Sequence, residues 1–521
     1  MKAVSDLKSF DRWEWLLITV LTFAAGWLFL ANLGDQRLWD DEAQTALIAK
    51  TILTDGVPRG YDGKNFFSQE NGREYGTNYV YRWHTWFPFY LLAGVFRLFG
   101  INEFTARLPF ALLGLATVPL SYGFARSLWQ SRRAAVLAAV LLSTSVSFLI
   151  LSRQCRYYAP CAFFSLLSLY AYWLLIRRRR GAALLFVVSA TLLFHSLFYY
   201  WAVLVLVVLI HSAIFHRDRL MAVASWSFVT FLLNLPWLIW LLSPPTVGRY
   251  PERTDYWYRP IVVAKEYFVQ ILRYVFSPIL VLLLLAMDLR TRTPIRQFVR
   301  ENDKLVGEAS LLLLFVGVNF VSLCFLTPLH FFRYLAPSIP VLCLLAAYIL
   351  DSSMRIHWAI GLVALAGILF FSRFSSYLYE VTHHYVGPID GIVAYLNEHG
   401  KPDDVVAITY GDLPLKFYTK MRVVGGLTGE DLTPALHADW VIFRHNINCD
   451  KDEAVTKYLR KHLPREHYRS ITLDCPDIPN NNREDPDQHV YRTVTNVPGV
   501  VILQRDDAAR KKEAERKWKR P

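Results

Sequence analysis

The sequence predicts a polytopic α-helical membrane protein of about eleven transmembrane helices, followed by a small α/β domain. Three observations carry this. The 521-residue chain is 54% hydrophobic and 15% aromatic, with mean hydropathy +0.25, more apolar than a soluble chain of this size. Apolar runs recur from residue 14 to 373, at the length of about 17–25 residues that crosses a bilayer as a helix. After His383 the composition changes, and short helix-like and strand-like segments alternate. The formal charge of +13 and pI of 9.3 fit loops facing an anionic leaflet. No basic stripe with interleaved aromatics points to nucleic acid, so membrane lipids are the expected partner surface.

The runs are 14–33, 105–127, 134–151, 157–176, 182–198, 199–215, 220–242, 266–287, 306–327, 333–350 and 356–373. The first follows Lys2, Lys8 and Arg12 and lacks a small-residue cleavage site, so it reads as a retained span with a cytoplasmic N-terminus. Arg126 with Arg132-Arg133, Arg177 to Arg180, His216 to Arg219, and Arg290 to Lys304 fall on alternate connections and are placed in the cytoplasm. The odd number of spans then puts the C-terminal third on the outer face. Residues 86–100 are apolar but short, with Pro88 and Arg97. Counting them as a span would put Arg177 to Arg180 on the wrong side, so an interfacial or re-entrant helix is expected there.

The membrane domain is expected over 1–380 and the α/β domain, outside the cytoplasm, over 381–521. Within the long outer loop 34–85, apolar positions from Ala43 to Leu53 recur at helical spacing and stop at Asp55-Gly56-Val57-Pro58. An amphipathic helix lying on the membrane is the expectation. A second outer loop, 243–260, holds Arg249, Glu252, Arg253 and Asp255 among aromatics. In the C-terminal third, helices are expected at 389–399 and 413–419, and strands at 405–410, 440–444, 470–473 and 500–504. The basic tail 510–520 reads as solvated or touching headgroups. Cys155, Cys161, Cys324 and Cys343 lie in or beside apolar runs and read as core residues. Cys449 and Cys475 are either a disulfide or two separate thiols. The run Asn482 to His489 is either a solvated loop or a Ca²⁺ or substrate site.

Four constellations could carry chemistry. Asp40-Asp41-Glu42 opens the loop helix; one acid suffices to cap it, and a general base or metal ligand is the alternative. His84 closes the loop beside Arg82, Trp83 and Trp86, either as part of an aromatic belt or as a phosphate or metal contact. Arg153 and Arg156, with Tyr157, stand at an outer boundary against the positive-inside bias; their guanidinium forks suit a phosphate, or the carboxylates of the first loop. His330 and Arg333-Tyr334 precede Pro337 and Pro340, as a kinked helix entry or a further phosphate contact.

In this order, these residues resemble the GT-C glycosyltransferases, in particular the protein O-mannosyltransferases and the lipid A aminoarabinose transferases. Trp39-Asp40-Asp41-Glu42-Ala43 resembles the acidic first-loop motif. His84, the apolar stretch to Phe99, Gly100 to Phe104 and Arg107-Leu108-Pro109 resemble the next block, with His84-Thr85-Trp86 where members often have His-Pro-Pro or Lys-Pro. Ser152 to Tyr157 and Arg333 to Pro340 resemble the two later arginine blocks. The likeness covers residues 14 to about 425. It implies an inverting transfer from a polyprenyl-phosphate sugar to a protein, lipid or glycan acceptor on the outer face of the inner membrane. Asp41 is then the base or a metal-bound orienting group, Glu42 holds a metal or a neighbouring cation, and a divalent metal is left open as cofactor. His84, Arg153, Arg156 with Tyr157, and Arg333 with Tyr334 face the departing phosphate. The second outer carboxylate that some members carry near the first arginine block is missing from Arg153 to Tyr158. Two other classes compete: a transporter or flippase of lipid-linked glycans, which would show internal repeats and midplane charges, and a non-catalytic partner in envelope glycan assembly.

Overall fold

Each predicted span is helical, because an apolar chain in a bilayer must satisfy its backbone hydrogen bonds internally. The computed structural model describes residues 10–243, 259–291, 303–327, 331–445, 450–479 and 485–506. Among the described residues, seven helices are long and apolar enough to cross a membrane. They include α1 (Arg12–Leu30), α4 (Glu103–Trp129), α7 (Tyr158–Ile176), α9 (Phe198–Phe215) and α10 (Leu220–Leu242). The other two are α13 (Asp303–Leu326) and α14 (Ser338–Ile356). The 15-residue α8 (Ala182–Ser196) is a shorter apolar helix packed against α7 and α9.

Two predicted spans are bent pairs, and a third continues into a bent-off helix. Residues 134–151 form α5 (Arg132–Thr144) and α6 (Val146–Ser152) at 60°. Ser145 leaves the helical region there and caps α6 through Phe148 N. The run 266–287 becomes α11 (Arg259–Tyr274) and α12 (Pro278–Thr291), bent by 83° just before Pro278, which has no backbone N–H to continue the helix. The last predicted span, 356–373, is α15 (Trp358–Phe371), and a helix beyond it, α16 (Phe374–Thr382), follows at 55°, with Arg373 at φ 62° between them. The apolar helix α3 (Phe87–Phe99) is 13 residues long, about 20 Å, which is short of a bilayer core.

The loop helix corrects the sequence reading. It is α2 (Asp40–Asp55), and every residue from Asp40 to Ala49 is buried. It lies between α3 and a helix of the C-terminal region, α18 (Asp412–Tyr418). The small residues Ala43, Ala46 and Ala49 allow that close approach. Its polar face meets protein partners instead of water, so it is not an amphipathic helix on the membrane surface.

The C-terminal region is a five-stranded sheet in the order β2-β1-β3-β5-β4. The strands are β1 (Val405–Ile408), β2 (Arg422–Gly425), β3 (Trp440–Ile442), β4 (Tyr468–Pro476) and β5 (Gly499–Arg505). β1 runs parallel to β2 and β3; β5 is antiparallel to β3 and β4. Helices α17 (Pro388–His399), α18 and α19 (Asp450–His462) accompany the strands. Strand β2 has no counterpart in the sequence expectation. It is four residues long and ends at Gly425, where φ is +114° and a Cβ would meet the Ile408 carbonyl oxygen at 2.1 Å.

The first loop is stitched to this sheet region. Asn65 donates to Met421 O at 3.0 Å and accepts from Val423 N at 2.8 Å. Buried Lys416 pairs with Asp412 at 2.8 Å and donates to Phe66 O at 2.7 Å. A second seam corrects the reading of the Asn482 to His489 cluster, of which 480–484 lie outside the described residues. Asp487 pairs with Arg273 and Arg373 and accepts from the Tyr274 hydroxyl, while His489 pairs with Glu380 at 2.7 Å. These side chains dock the sheet region onto α11 and α16 rather than forming a solvated loop or a Ca²⁺ site. Cys155, Cys161, Cys324, Cys343 and Cys475 are buried free thiols. Cys449, His330, the 244–258 loop and the basic tail lie outside the described residues.

Candidate active site

The acidic motif sits on the first turn of α2, where adjacent residues point about 100° apart around the axis. Trp39 occupies the cap position without a side-chain capping bond, and Asp40 is the first helical residue, so the expected capping role of Asp40 is not realised. Asp41 and Glu42 turn toward different neighbours.

Asp41 is buried between two arginines. Its Oδ2 lies 2.9 Å from Arg333 Nη1 and 3.4 Å from Arg156 Nη2. Arg156 also donates to Asp41 O and Thr45 Oγ1, both at 3.1 Å. Burial pushes the Asp41 carboxyl up, but Arg156, Arg333 and hydrogen bonds from Gln69 and Tyr158 outweigh it, leaving it below the usual carboxylate range. Two tight turns deliver the arginines: the link between α6 and α7 carries Arg156, and the 3₁₀ turn Phe332–Leu335 before α14 carries Arg333. Arg333 lies 4.1 Å over the Phe331 ring.

Glu42 is 0% exposed. Arg107 of α4 grips it bidentately at 2.8 and 2.7 Å, and Cys155 N donates to it at 2.9 Å. Arg107 also donates to Leu33 O and Gln36 O at 3.0 and 2.8 Å. Both Glu42 oxygens are therefore committed to α4 and the α6–α7 turn, which makes Glu42 an anchor. The donor set does not fit the divalent metal that the resemblance left open. Asp41 and Glu42 are each neutralised by arginine, and no group of three His, Cys, Asp or Glu is gathered among the described residues.

A cavity of about 250 Å³ opens on Arg156 and Arg333; Asp41, paired with both, is not itself among its lining residues. Five of the sequence-predicted residues line it: His84, Arg156, Tyr157, Arg333 and Tyr334. Its other wall is apolar, with Leu197, Phe198, Leu323 and Leu326 from the ends of α8, α9 and α13. Arg153 is elsewhere. Its Nη1 donates to Leu28, Phe29 and Ala31 carbonyls at 3.2, 3.3 and 2.7 Å, capping the C-terminal end of α1.

His84 is 4% exposed. Its Nδ1 lies 3.0 Å from Thr85 O; a carbonyl can only accept, so Nδ1 carries the proton and Nε2 the lone pair. Nε2 has no partner among the described residues, and neither has Arg156 Nε. Burial pushes the imidazole down to about 3, with Arg156 adding to the shift against a bond to Thr85. His84 is thus a neutral acceptor in the cavity wall.

Two carboxylates missed in the sequence, Glu70 and Glu74, also line the cavity. Glu74 accepts from Ser68 Oγ, Gln69 N, Glu70 N and Gln44 Nε2 at 2.7, 2.6, 3.0 and 3.2 Å. It holds the 68–74 turn over the site. The Asn71-Gly72 pair signals a turn there, but nothing local says that the turn folds back onto α2.

A family model described as dolichyl-phosphate-mannose-protein mannosyltransferase matches residues 84–240. The crystal structure of ArnT from Cupriavidus metallidurans bound to undecaprenyl phosphate superposes with a TM-score of 0.57, covering 96% of this chain and 99% of that one at 14% identity. The apo state of the same protein gives 0.52, covering 94% and 97% at 14% identity. An uncharacterized protein from Aquifex aeolicus (strain VF5) is 28% identical over 149 residues, which span 28% of this chain and 27% of that relative. Fold and cavity together define a multi-span helical membrane protein with its charged site at the end of the bundle that carries the sheet region. This chain shares its fold with those ArnT structures.

Two outcomes are expected. Arg107→Ala leaves Glu42 buried and unpaired and should destabilise the protein by about 3–5 kcal/mol, measured as a lower unfolding temperature in detergent. The pH dependence of that temperature carries the signature of His84. Its folded value of about 3 lies below the usual 6.5, so between those values the unfolded chain binds the extra proton. Stability should then fall as pH drops below 6.5, by about 1.4 kcal/mol per pH unit. His84→Gln should flatten that slope; an unchanged slope would remove His84 as its source.

Proposed function

We propose that this protein is an inverting glycosyltransferase that moves a sugar from a polyprenyl-phosphate donor to a protein, lipid or glycan acceptor at the outer face of the inner membrane. The observation that carries the reading is the mixed lining of the cavity: the guanidinium groups of Arg156 and Arg333 together with the apolar side chains of Leu197, Phe198, Leu323 and Leu326. A phosphate attached to an isoprenoid has those two halves. The fold likeness to a protein crystallised with undecaprenyl phosphate supports it. The charged groups of the cavity lie at helix ends and in inter-helix turns, which favours an enzyme of this class over a transporter with ionisable groups midway along its helices.

Arg156 and Arg333 receive the donor phosphate. They now neutralise Asp41, so an arriving phosphate competes for their N–H groups and leaves Asp41 more basic. The acceptor oxygen attacks the anomeric carbon from the face opposite the phosphate. The bond from that carbon to the phosphate oxygen breaks with its electron pair going to the phosphate, and the acceptor proton passes to Asp41. Tyr157 and Tyr334 frame the phosphate side of the cavity. His84 Nε2 accepts a hydrogen bond from a hydroxyl of substrate or product.

Transfer of radiolabelled sugar from a polyprenyl-phosphate donor to membrane extracts tests the assignment. Asp41→Asn should lower turnover by about 10²–10⁴-fold with membrane insertion intact; full activity would overturn the role of Asp41. The orientation follows from the basic clusters, with the N-terminus cytoplasmic and the sheet region outside. Alkaline phosphatase fused to the C-terminus should be active in cells, and an inactive fusion would reverse the topology.

A further inference from the structure

We infer that the first loop carries a second saccharide-binding site, separate from the charged cavity, built around Tyr61 and Tyr79 and suited to an uncharged oligosaccharide portion of the acceptor. Its assignment to the acceptor rests on the glycosyl-transfer reading; its existence does not.

Two open clefts of about 490 and 480 Å³ meet at these rings, within the size range of about 300–1,000 Å³ typical of ligand sites. Tyr61 and Tyr79 border both clefts, and none of the cleft residues lines the charged cavity. The two rings lie 5.1 Å apart at 33°, and Tyr79 is 48% exposed. Tyr79 is held at φ 60° directly after Asn78 at φ 57°. That region suits glycine and is unusual for an aromatic residue. Glycine would relieve the backbone, yet a large, half-exposed ring stands there.

The surrounding charge selects the ligand. Lys50 and Arg59 balance Asp55 and Asp62 in one cleft, and Lys64 and Arg422 face Glu430 in the other. Two of these four cations are also committed: Arg59 to Asp55 at 3.1 Å and Asn78 O at 2.6 Å, Lys64 to Pro402 O and Lys420 O at 2.5 and 2.6 Å. A polyanion would find little free positive charge. A sugar would find flat rings for its C–H faces and mixed donors and acceptors for its hydroxyls. The site is also wired to the cavity. Tyr75 packs on Phe66 of the cleft at 5.5 Å and on Tyr81 of the cavity wall at 5.6 Å.

Saturation-transfer NMR on the purified full-length protein, with maltohexaose, chitohexaose and a heparin-derived hexasaccharide as probes, tests this. At least one neutral probe should bind wild type and Asp41→Asn alike. Tyr79→Gly should bind it more weakly on the order of tenfold or more, while unfolding at the same or a higher temperature. No binding of either neutral probe, equal binding by Tyr79→Gly, or tighter binding of the sulfated probe would each overturn the proposal. Neutral-probe binding lost in Tyr79→Gly, in a protein that transfers no sugar, would uphold the site and overturn the transfer reading instead.

Discussion

The arrangement depends on charge burial at the first turn of α2. Three carboxylates, Asp40, Asp41 and Glu42, are buried there, and three arginines gather around Asp41 and Glu42, because an unpaired charge in that surrounding is far costlier than a paired one. The partners come from separate parts of the chain: Arg107 from α4, Arg156 from the α6–α7 turn, Arg333 from the turn before α14. Pairing therefore fixes how deep α2 sits and how it is rotated. It also brings the ends of three bundle elements to one point. The cavity is the space left between them.

Adjacency in sequence and adjacency in function come apart at this turn. Asp41 and Glu42 look like a ligand pair when written as a string. On a helix their side chains diverge, and the neighbours found on each side differ in kind. Glu42 meets an arginine that also binds two backbone carbonyls, and its oxygens are saturated. Asp41 meets two arginines that both border open space. The first arrangement holds elements together; the second can exchange its partners with an incoming anion. The same contrast separates Arg153, spent on the carbonyl end of α1, from Arg156 three residues later.

The spans were legible because a bilayer-length apolar run has one stable backbone solution. The bends were less so: Pro278 marks one, while Ser145 and Arg373 carry no strong local signal. Arg156 and Arg333 stood out because arginines at an outer boundary need a reason, and the cavity supplies it. What the string hid is what depends on tertiary packing. The α2 pattern reads as amphipathic because half of it is polar, and only the fold shows that its polar half faces arginines. The charge state of His84 is open in the sequence until its burial and its bond to Thr85 O leave it neutral. Glu70 and Glu74 sit in an ordinary polar turn until that turn closes over the site.

The 58–82 stretch ties these features into one device. It has little regular structure, and its shape comes from isolated bridges between Arg59 and Val80, Tyr61 and Phe66, and Tyr75 and Tyr81. One surface of this small knot carries Tyr61 and Tyr79, and the other contributes Tyr81 to the cavity wall. The sheet region grips the same knot through Asn65 and Lys416. A shift in how the sheet region sits would thus move the cavity wall and the tyrosine clefts together. An acceptor held at the clefts would then be carried by the same loop that walls the cavity beside the arginines, which would set its approach to a donor held there, as a reaction between two large, separately tethered substrates requires.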